Sequence, residues 1–299
     1  MSIIPFDDRD GWIWMNGHMV PWRDAKLHVL SHGLHYGSSV FEGERVYGGK
    51  VFKLKEHGER LLRSAQLVGF EISYSAVQLD EAVMQLVAKQ GIVDGYVRRI
   101  AWRGSEMMAI SAQHNTIHVA IATWEWPKMF KGDVAEKGVR LKWADWKRPS
   151  PETIPSAAKA AGLYMICTMS KHEAERAGYH DALMMDYRGY VAEATGANVF
   201  FVMHGEVHTP LPDCFLNGIT RLTVIELLKA RGITVVERHI MPDEIKAATE
   251  VFLTGSAAEI TPVGEVEGTQ FSVGPITRQV SEDYSKLVRS KTAVVSGAA

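Results

Sequence analysis

The sequence predicts an α/β protein of two domains, each with mixed helices and strands (α+β). Its 299 residues suit about two domains at roughly 150 residues each. Each half begins with short strands joined by turns and continues with amphipathic helices. Between the halves, residues 124–132 combine aromatic residues with Pro127 and Gly132, which is typical of a linker. We therefore predict a small N-terminal domain over residues 1–124, a linker over 125–135 and a larger domain over 136–299.

In the first half, hairpin turns at Asn16-Gly17 and Gly48-Gly49 separate short apolar segments. Apolar residues then recur at helical spacing. The predicted strands span residues 12–15, 19–22, 40–47, 50–54, 95–102 and 116–124, and the predicted helices span 54–68 and 79–89.

In the second half, the clearest signal is a helix over residues 220–230, which Thr220 can cap and Gly232 can end. The other predicted helices span 163–177 and 281–289. The predicted strands span 139–143, 181–186, 190–193, 199–202, 207–209 and 251–254.

Composition excludes several classes of protein. Lysine and arginine number 33 against 35 aspartate and glutamate residues, and the net charge of −2 gives no general attraction to nucleic acid or to an anionic membrane. Cys167 and Cys214 are far apart, which argues against a zinc ribbon or a disulfide scaffold. We recognise no secretory segment and no apolar run of about 18 residues, so we expect a cytoplasmic protein.

Two further patterns are rejected as ligand sites. Gly48, Gly49 and Lys50 suggest a phosphate-binding loop, but Val51 stands where a Ser or Thr would hold magnesium. His32 and His35 have metal-ligand spacing, but no third or fourth ligand is evident. We predict no metal site.

Lys159 is the first candidate for chemistry, because it lies in a segment of small residues, 155–162. Small neighbours predict an apolar cradle, and desolvation there would lower the pKa of the amine and favour its neutral, nucleophilic form. Most lysines are exposed and inert, so other residues must support this interpretation.

Glu193 supplies that support, because it stands among small residues at the end of a predicted buried strand. A carboxylate there needs a cationic or proton-donating partner, and a protonated pyridine nitrogen would serve. A strand-end carboxylate at the surface is the alternative.

Two turns complete the pattern. Residues 217–220 precede a predicted helix, whose first amides can bind a phosphate. Residues 254–259 form a second small, hydroxyl-bearing turn after a buried strand. A reactive lysine, a buried acid and two anion-binding turns together describe a site for pyridoxal 5'-phosphate (PLP).

Seven separated segments carry a resemblance to a known family. They are SHGLHYGSSVFEGERVY (31–47), FKLKEHGERLLRSA (52–65), YVR (96–98), IPSAAKAAGLY (154–164), DYRGYVAEATGANVF (186–200), NGITR (217–221) and FLTGSAAEITPV (252–263). In these segments the chain resembles the class IV (fold type IV) PLP-dependent aminotransferases, most closely the branched-chain amino-acid aminotransferases. The resemblance runs from about residue 12 to residue 273 and implies two α/β domains with the cofactor in the cleft.

The resemblance implies a role for each cofactor-binding residue. Lys159 would form the Schiff base and move the α-proton, and Glu193 would pair with the pyridine nitrogen. Tyr164 would hydrogen-bond the cofactor's O3′. The phosphate would be bound by Arg60, the amides of Ile219 and Thr220, and Ser256, which stands where the family often has threonine.

The resemblance also implies a substrate pocket, in which Arg98 would bind the distal carboxylate of glutamate. The pocket would be lined by Tyr36, Phe41, Tyr96, Arg98, Trp126, Met129, Ala257 and Ala258. The reaction would be a ping-pong transfer of an amino group from a branched-chain L-amino acid to 2-oxoglutarate. Family members form homodimers or larger assemblies, so we expect a homo-oligomer.

Substrate choice stays open, because residues 102–108 replace a glycine-rich loop and Met129 replaces a common aromatic residue. The first alternative is an (R)-selective amine transaminase. A D-amino-acid aminotransferase and an aminodeoxychorismate lyase share the fold and are further alternatives, and a binding module without catalysis is the simplest one.

Overall fold

The chain folds into two compact units. The computed structural model describes residues 4–127 and 133–290. Within these residues, the first unit comprises 4–127 and 158–162, and the second comprises 133–157 and 163–290. The segment that carries Lys159 therefore folds with the N-terminal part of the chain.

The first unit is built on an antiparallel sheet with the order β2-β1-β6-β5-β3-β4. Its strands are β1 (Trp12–Met15), β2 (His18–Pro21), β3 (Ser39–Tyr47), β4 (Lys50–Val51), β5 (Gly95–Arg103) and β6 (Ile117–Glu125). Asn16 and Gly17 have positive φ angles of 50° and 92°, as the predicted two-residue hairpin requires. The hairpin between β1 and β2 is confirmed.

Among the residues that the structure describes, the first unit has three α-helices: α1 (His32–Tyr36), α2 (Leu54–Leu67) and α3 (Ala76–Gln90). The prediction missed α1 and began α3 three residues late. Ser75 and Gln78 form a capping box that starts α3. The predicted strand over 50–54 is wrong beyond Val51, because α2 begins at Leu54.

The second unit contains a mixed sheet of the order β12-β11-β10-β13-β14-β7-β8-β9. Because β9 also pairs with β10, six of these strands form a closed ring. The strands are β7 (Val139–Trp143), β8 (Asp181–Met185), β9 (Val191–Ala194), β10 (Asn198–Met203), β11 (Glu206–Pro210), β12 (Val235–Arg238), β13 (Glu250–Gly255), β14 (Glu259–Val266) and β15 (Thr269–Gln270). All six residues of β10 are buried, as expected of a strand inside such a ring.

Within its described part, the second unit has four α-helices: α4 (Asp133–Lys137), α5 (Met165–Arg176), α6 (Ile219–Ala230) and α7 (Pro275–Arg289). The prediction that Thr220 caps α6 is wrong, because Gly218 is the N-cap and Thr220 lies inside the first turn. The helix predicted over 281–289 begins earlier, at Pro275, a residue type that suits the first helical position. No helix of the described residues is long and apolar enough to span a membrane.

Candidate active site

Main-chain contacts fix the position of Lys159 in the first unit. Its amide donates to Ser64 Oγ at 3.0 Å, and its carbonyl accepts from the Phe41 amide at 3.0 Å. Ala160 forms an antiparallel bridge with Val40 of β3. Lys159 is therefore attached to both β3 and α2, between the buried residues Ala158 and Ala160.

The Lys159 side chain lies in the desolvated environment that the sequence predicts. Nζ is 4.9 Å from the centre of the Phe41 ring. Burial lowers the pKa of the amine to about 8, and the positive charge of Arg60 acts in the same direction. The neutral fraction of the amine near physiological pH is therefore larger than that of an exposed lysine, although the protonated form still predominates.

Arg60, on α2, is held by a buried carboxylate. Its Nε and Nη2 donate to the two oxygens of Glu42 at 2.6 and 2.8 Å. His57 Nδ1 lies 2.7 Å from the same carboxylate. Burial acts to raise the pKa of Glu42, but Arg60 and His57 outweigh it and hold that pKa well below its usual range. Sequence analysis missed Glu42 and His57, although a glutamate inside a buried strand was a visible signal.

Four of the predicted pocket residues lie close together in the first unit. The Arg98 guanidinium is 4.7 Å from the Phe41 ring and 5.5 Å from the Tyr96 ring. The Trp126 and Tyr96 ring centres are 5.4 Å apart. Tyr36 is exposed at the end of α1, where its ring stacks on His32. Met129 lies outside the described residues.

In the second unit, Glu193 is buried on β9, as predicted. Asn198 Nδ2 donates to Glu193 Oε2 at 3.0 Å, and Arg148 Nε lies 3.4 Å from Oε1. Although burial acts to lower it, the pKa of Arg148 is raised, chiefly by the Glu193 carboxylate. Sequence analysis missed Arg148, because its contact with Glu193 depends on pairing across the fold.

The first turn of α6 presents backbone amides that no side chain caps. Its N-cap is Gly218, and no side-chain hydrogen bond closes that end of the helix. A Cβ at Gly218 would collide with Asn198 Oδ1. Asn198 therefore contacts both the Glu193 carboxylate and the start of α6, and the uncapped amides at Ile219 and Thr220 suit an anion.

The turn that contains Ser256, Ala257 and Ala258 joins β13 to β14 and is partly buried. Thr261 Oγ1 donates to the Ala258 carbonyl at 2.7 Å and closes the turn. Asn198 of β10 pairs with Glu193 of β9 on one side and with Thr254 of β13 on the other. The turn that follows β13 therefore begins close to Glu193 in the sheet. Tyr164 stands directly before α5 and packs on the cluster around Cys167.

Comparison with known proteins identifies the class. Residues 39–266 match the family described as amino-transferase class IV. This match covers most of the chain, so the protein belongs to the class IV aminotransferase family and is an aminotransferase of fold type IV.

Relatives within the family are similar over nearly their whole length. The branched-chain-amino-acid aminotransferase of Pseudomonas aeruginosa is 38% identical over 292 residues, covering 95% of each chain. The structure of the Escherichia coli branched-chain aminotransferase superposes with a TM-score of 0.91 at 37% identity, covering 95% of this chain and 97% of that one. The branched-chain aminotransferase of T.th. complexed with N-(5'-phosphopyridoxyl)-L-glutamate gives 0.89 at 38% identity, covering 94% and 95%.

Proposed function

We propose that this aminotransferase moves an amino group between branched-chain L-amino acids and 2-oxoglutarate, with PLP as its cofactor. The observation that carries the proposal is the half-buried Lys159, whose pKa is lowered to about 8, in a chain so similar to branched-chain aminotransferases. The phosphopyridoxyl-glutamate bound to a relative supports both the cofactor and glutamate as a substrate.

The residues present fit PLP. Arg60 and the uncapped amides of Ile219 and Thr220, with the Ser256 hydroxyl, would bind the phosphate. Glu193 would accept a hydrogen bond from the protonated pyridine nitrogen and keep it protonated, Tyr164 would hydrogen-bond O3′, and Lys159 would bind the aldehyde carbon. When bound, the cofactor supplies an electron sink for the α-carbon of the substrate.

Lys159 then performs the proton transfer. A lysine with a pKa near 8 both accepts and returns a proton at Nζ near neutral pH. Arg98, whose guanidinium lies close to the Phe41 and Tyr96 rings, would bind the distal carboxylate of glutamate. The apolar walls of the pocket would be Tyr36, Phe41, Tyr96, Trp126, Met129, Ala257 and Ala258.

We also propose that the enzyme is a cytoplasmic homodimer or a larger homo-oligomer. The two cysteines are buried and unpaired, as in a reducing compartment. The segment before and within α1 exposes large apolar side chains in the single chain, and these support association with a second copy. They are Leu27, Val29, Leu30 and Leu34.

A half-reaction screen tests the substrate assignment. The holoenzyme is mixed separately with L-leucine, L-glutamate, D-alanine and (R)-1-phenylethylamine, and the visible band of the bound cofactor is followed. We expect rapid bleaching with leucine and glutamate only. Bleaching by the aromatic amine alone would instead identify an (R)-selective amine transaminase, and bleaching by D-alanine alone a D-amino-acid aminotransferase.

A further inference from the structure

Strand β3 carries two buried glutamates that bind arginines in the same way. Glu42 accepts from Arg60 Nε at 2.6 Å and from Nη2 at 2.8 Å. Glu44, two residues along the strand, accepts from Arg99 Nε at 2.6 Å and from Nη2 at 2.8 Å. Both carboxylates are fully buried. These two pairs, the Glu42 fork (Glu42 with Arg60) and the Glu44 fork (Glu44 with Arg99), have the same hydrogen-bond geometry but different neighbours.

The Glu44 fork joins parts of the scaffold. Arg99 Nη1 donates to Asp80 of α3 at 2.7 Å, and Nη2 also contacts the Leu54 carbonyl. None of these groups was predicted to bind cofactor or substrate. This fork ties β3 and β5 to α2 and α3.

The Glu42 fork lies beside Lys159. Arg60, His57 and Ser64 share helix α2, and Ser64 Oγ accepts the Lys159 amide. The charges of Arg60 and Glu42 both act on the Lys159 amine, in opposite directions. His57 binds the same carboxylate from one turn earlier in α2, so Glu42 is held by two cationic or donor groups.

Stability alone does not explain a buried carboxylate such as Glu42, because buried ion pairs often add little to the free energy of folding. A fork with two hydrogen bonds does fix the plane of a guanidinium. We propose that Glu42 is a positioning residue for cofactor binding, which holds Arg60 in the orientation that binds the phosphate of PLP. The inference rests on the proposed function, in which Arg60 is a phosphate ligand.

Comparing PLP with pyridoxal isolates this role, because pyridoxal lacks only the phosphate. Each ligand is titrated into the full-length apoenzyme, and the ratio of the two dissociation constants is compared among wild type, Glu42→Gln and the matched control Glu44→Gln. We expect Glu42→Gln to weaken PLP binding at least tenfold and pyridoxal binding less than threefold. Glu44→Gln should leave the ratio within twofold of wild type, while lowering the melting temperature as much as Glu42→Gln does.

The result that overturns the proposal is an equal weakening of both ligands in Glu42→Gln, or the same change of ratio in Glu44→Gln. If Glu42→Gln does not fold, Glu42→Asp decides, since it keeps the buried charge but is too short for both contacts. In Glu42→Asp too, the dissociation constant of PLP must increase more than that of pyridoxal. Failure of the wild-type protein to bind PLP would instead overturn the proposed function.

Discussion

The two units of the chain hold their candidate cofactor ligands with different chemistry. In the first unit, charged side chains form buried ion pairs: Arg60 pairs with Glu42, and Arg99 pairs with Glu44 and Asp80. In the second unit, the candidate phosphate ligands at the start of α6 are backbone amides, and one carboxylate, Glu193, is held by Asn198 and Arg148.

This difference affects how each unit tolerates change. A candidate side-chain ligand such as Arg60 would be lost with one substitution, whereas amides are kept as long as the backbone keeps its path. The weak point of the second unit is therefore the packing that sets the path, above all the close approach of Asn198 to Gly218. The first unit should be sensitive to charge and the second to volume.

The largest effect should come from the first unit, at Lys159. We expect Lys159→Ala to lower the rate of amino transfer by a factor on the order of 10⁴ or more, because in the proposed function both covalent binding and proton transfer depend on Nζ. Steady-state kinetics and the visible spectrum measure this loss. Borohydride reduction followed by peptide mapping should place the adduct of the wild-type protein on Lys159.

Substitution of an exposed lysine, Lys246→Ala, is the control and should leave the rate unchanged, since its amine pairs with Asp243 at the surface. A reduced adduct on any residue other than Lys159 would contradict the assignment.

Local sequence patterns were enough to find candidate site residues whose chain neighbours are small and apolar. Lys159 and Glu193 each lie among small residues, and the start of α6 follows a glycine. The burial of Glu193 and the lowered pKa of Lys159 agree with those patterns. These candidates could be predicted because the signal lies in neighbouring residues of the chain, which a single sequence shows.

The partners of these residues depend on pairing across the fold. Glu42 and Arg60 meet only because α2 packs on β3, and Arg148 reaches Glu193 from outside any strand or helix. Strand β14 was missed for a related reason: its partners β13 and β7 define it, while Pro262 and Gly264 weaken its local pattern.

A smaller effect is expected when a side chain in the second unit is enlarged. In Gly218→Ala, the new methyl group must displace Asn198 Oδ1, which disturbs both the contact with Glu193 and the start of α6. We expect a loss of about 1–3 kcal/mol in the free energy of unfolding, typical of an overpacked site, and weaker PLP binding. Chemical denaturation and PLP titration measure the two effects.

Gly196→Ala is the matched control for stability, because no atom of the described residues other than its chain neighbours lies within 4 Å of a Cβ placed there, and its φ angle is not positive. Equal losses of stability in the two variants would show that the close approach of Asn198 has no special importance.

The smallest effect concerns the pH dependence of the first unit. The folded protein lowers the pKa of Lys159 from 10.5 to about 8, so below pH 8 the amine is protonated in both the folded and the unfolded chain. There the folded apoprotein carries the full cost of a desolvated ammonium. Between about pH 8 and 10.5 the folded chain releases the proton while the unfolded chain keeps it, so this contribution to stability rises with pH.

Lys159→Met removes that titration and keeps an unbranched apolar chain of similar length. The groups whose charges act on the amine, Arg60, Glu42, Tyr96 and Arg98, are the same in both proteins. The free energy of unfolding of the wild-type apoprotein, relative to Lys159→Met, should therefore increase from pH 8 to pH 10. A difference that stays flat over this range would mean that the first unit does not desolvate Lys159, and the contrast between a charge-sensitive and a volume-sensitive unit would lose its main support.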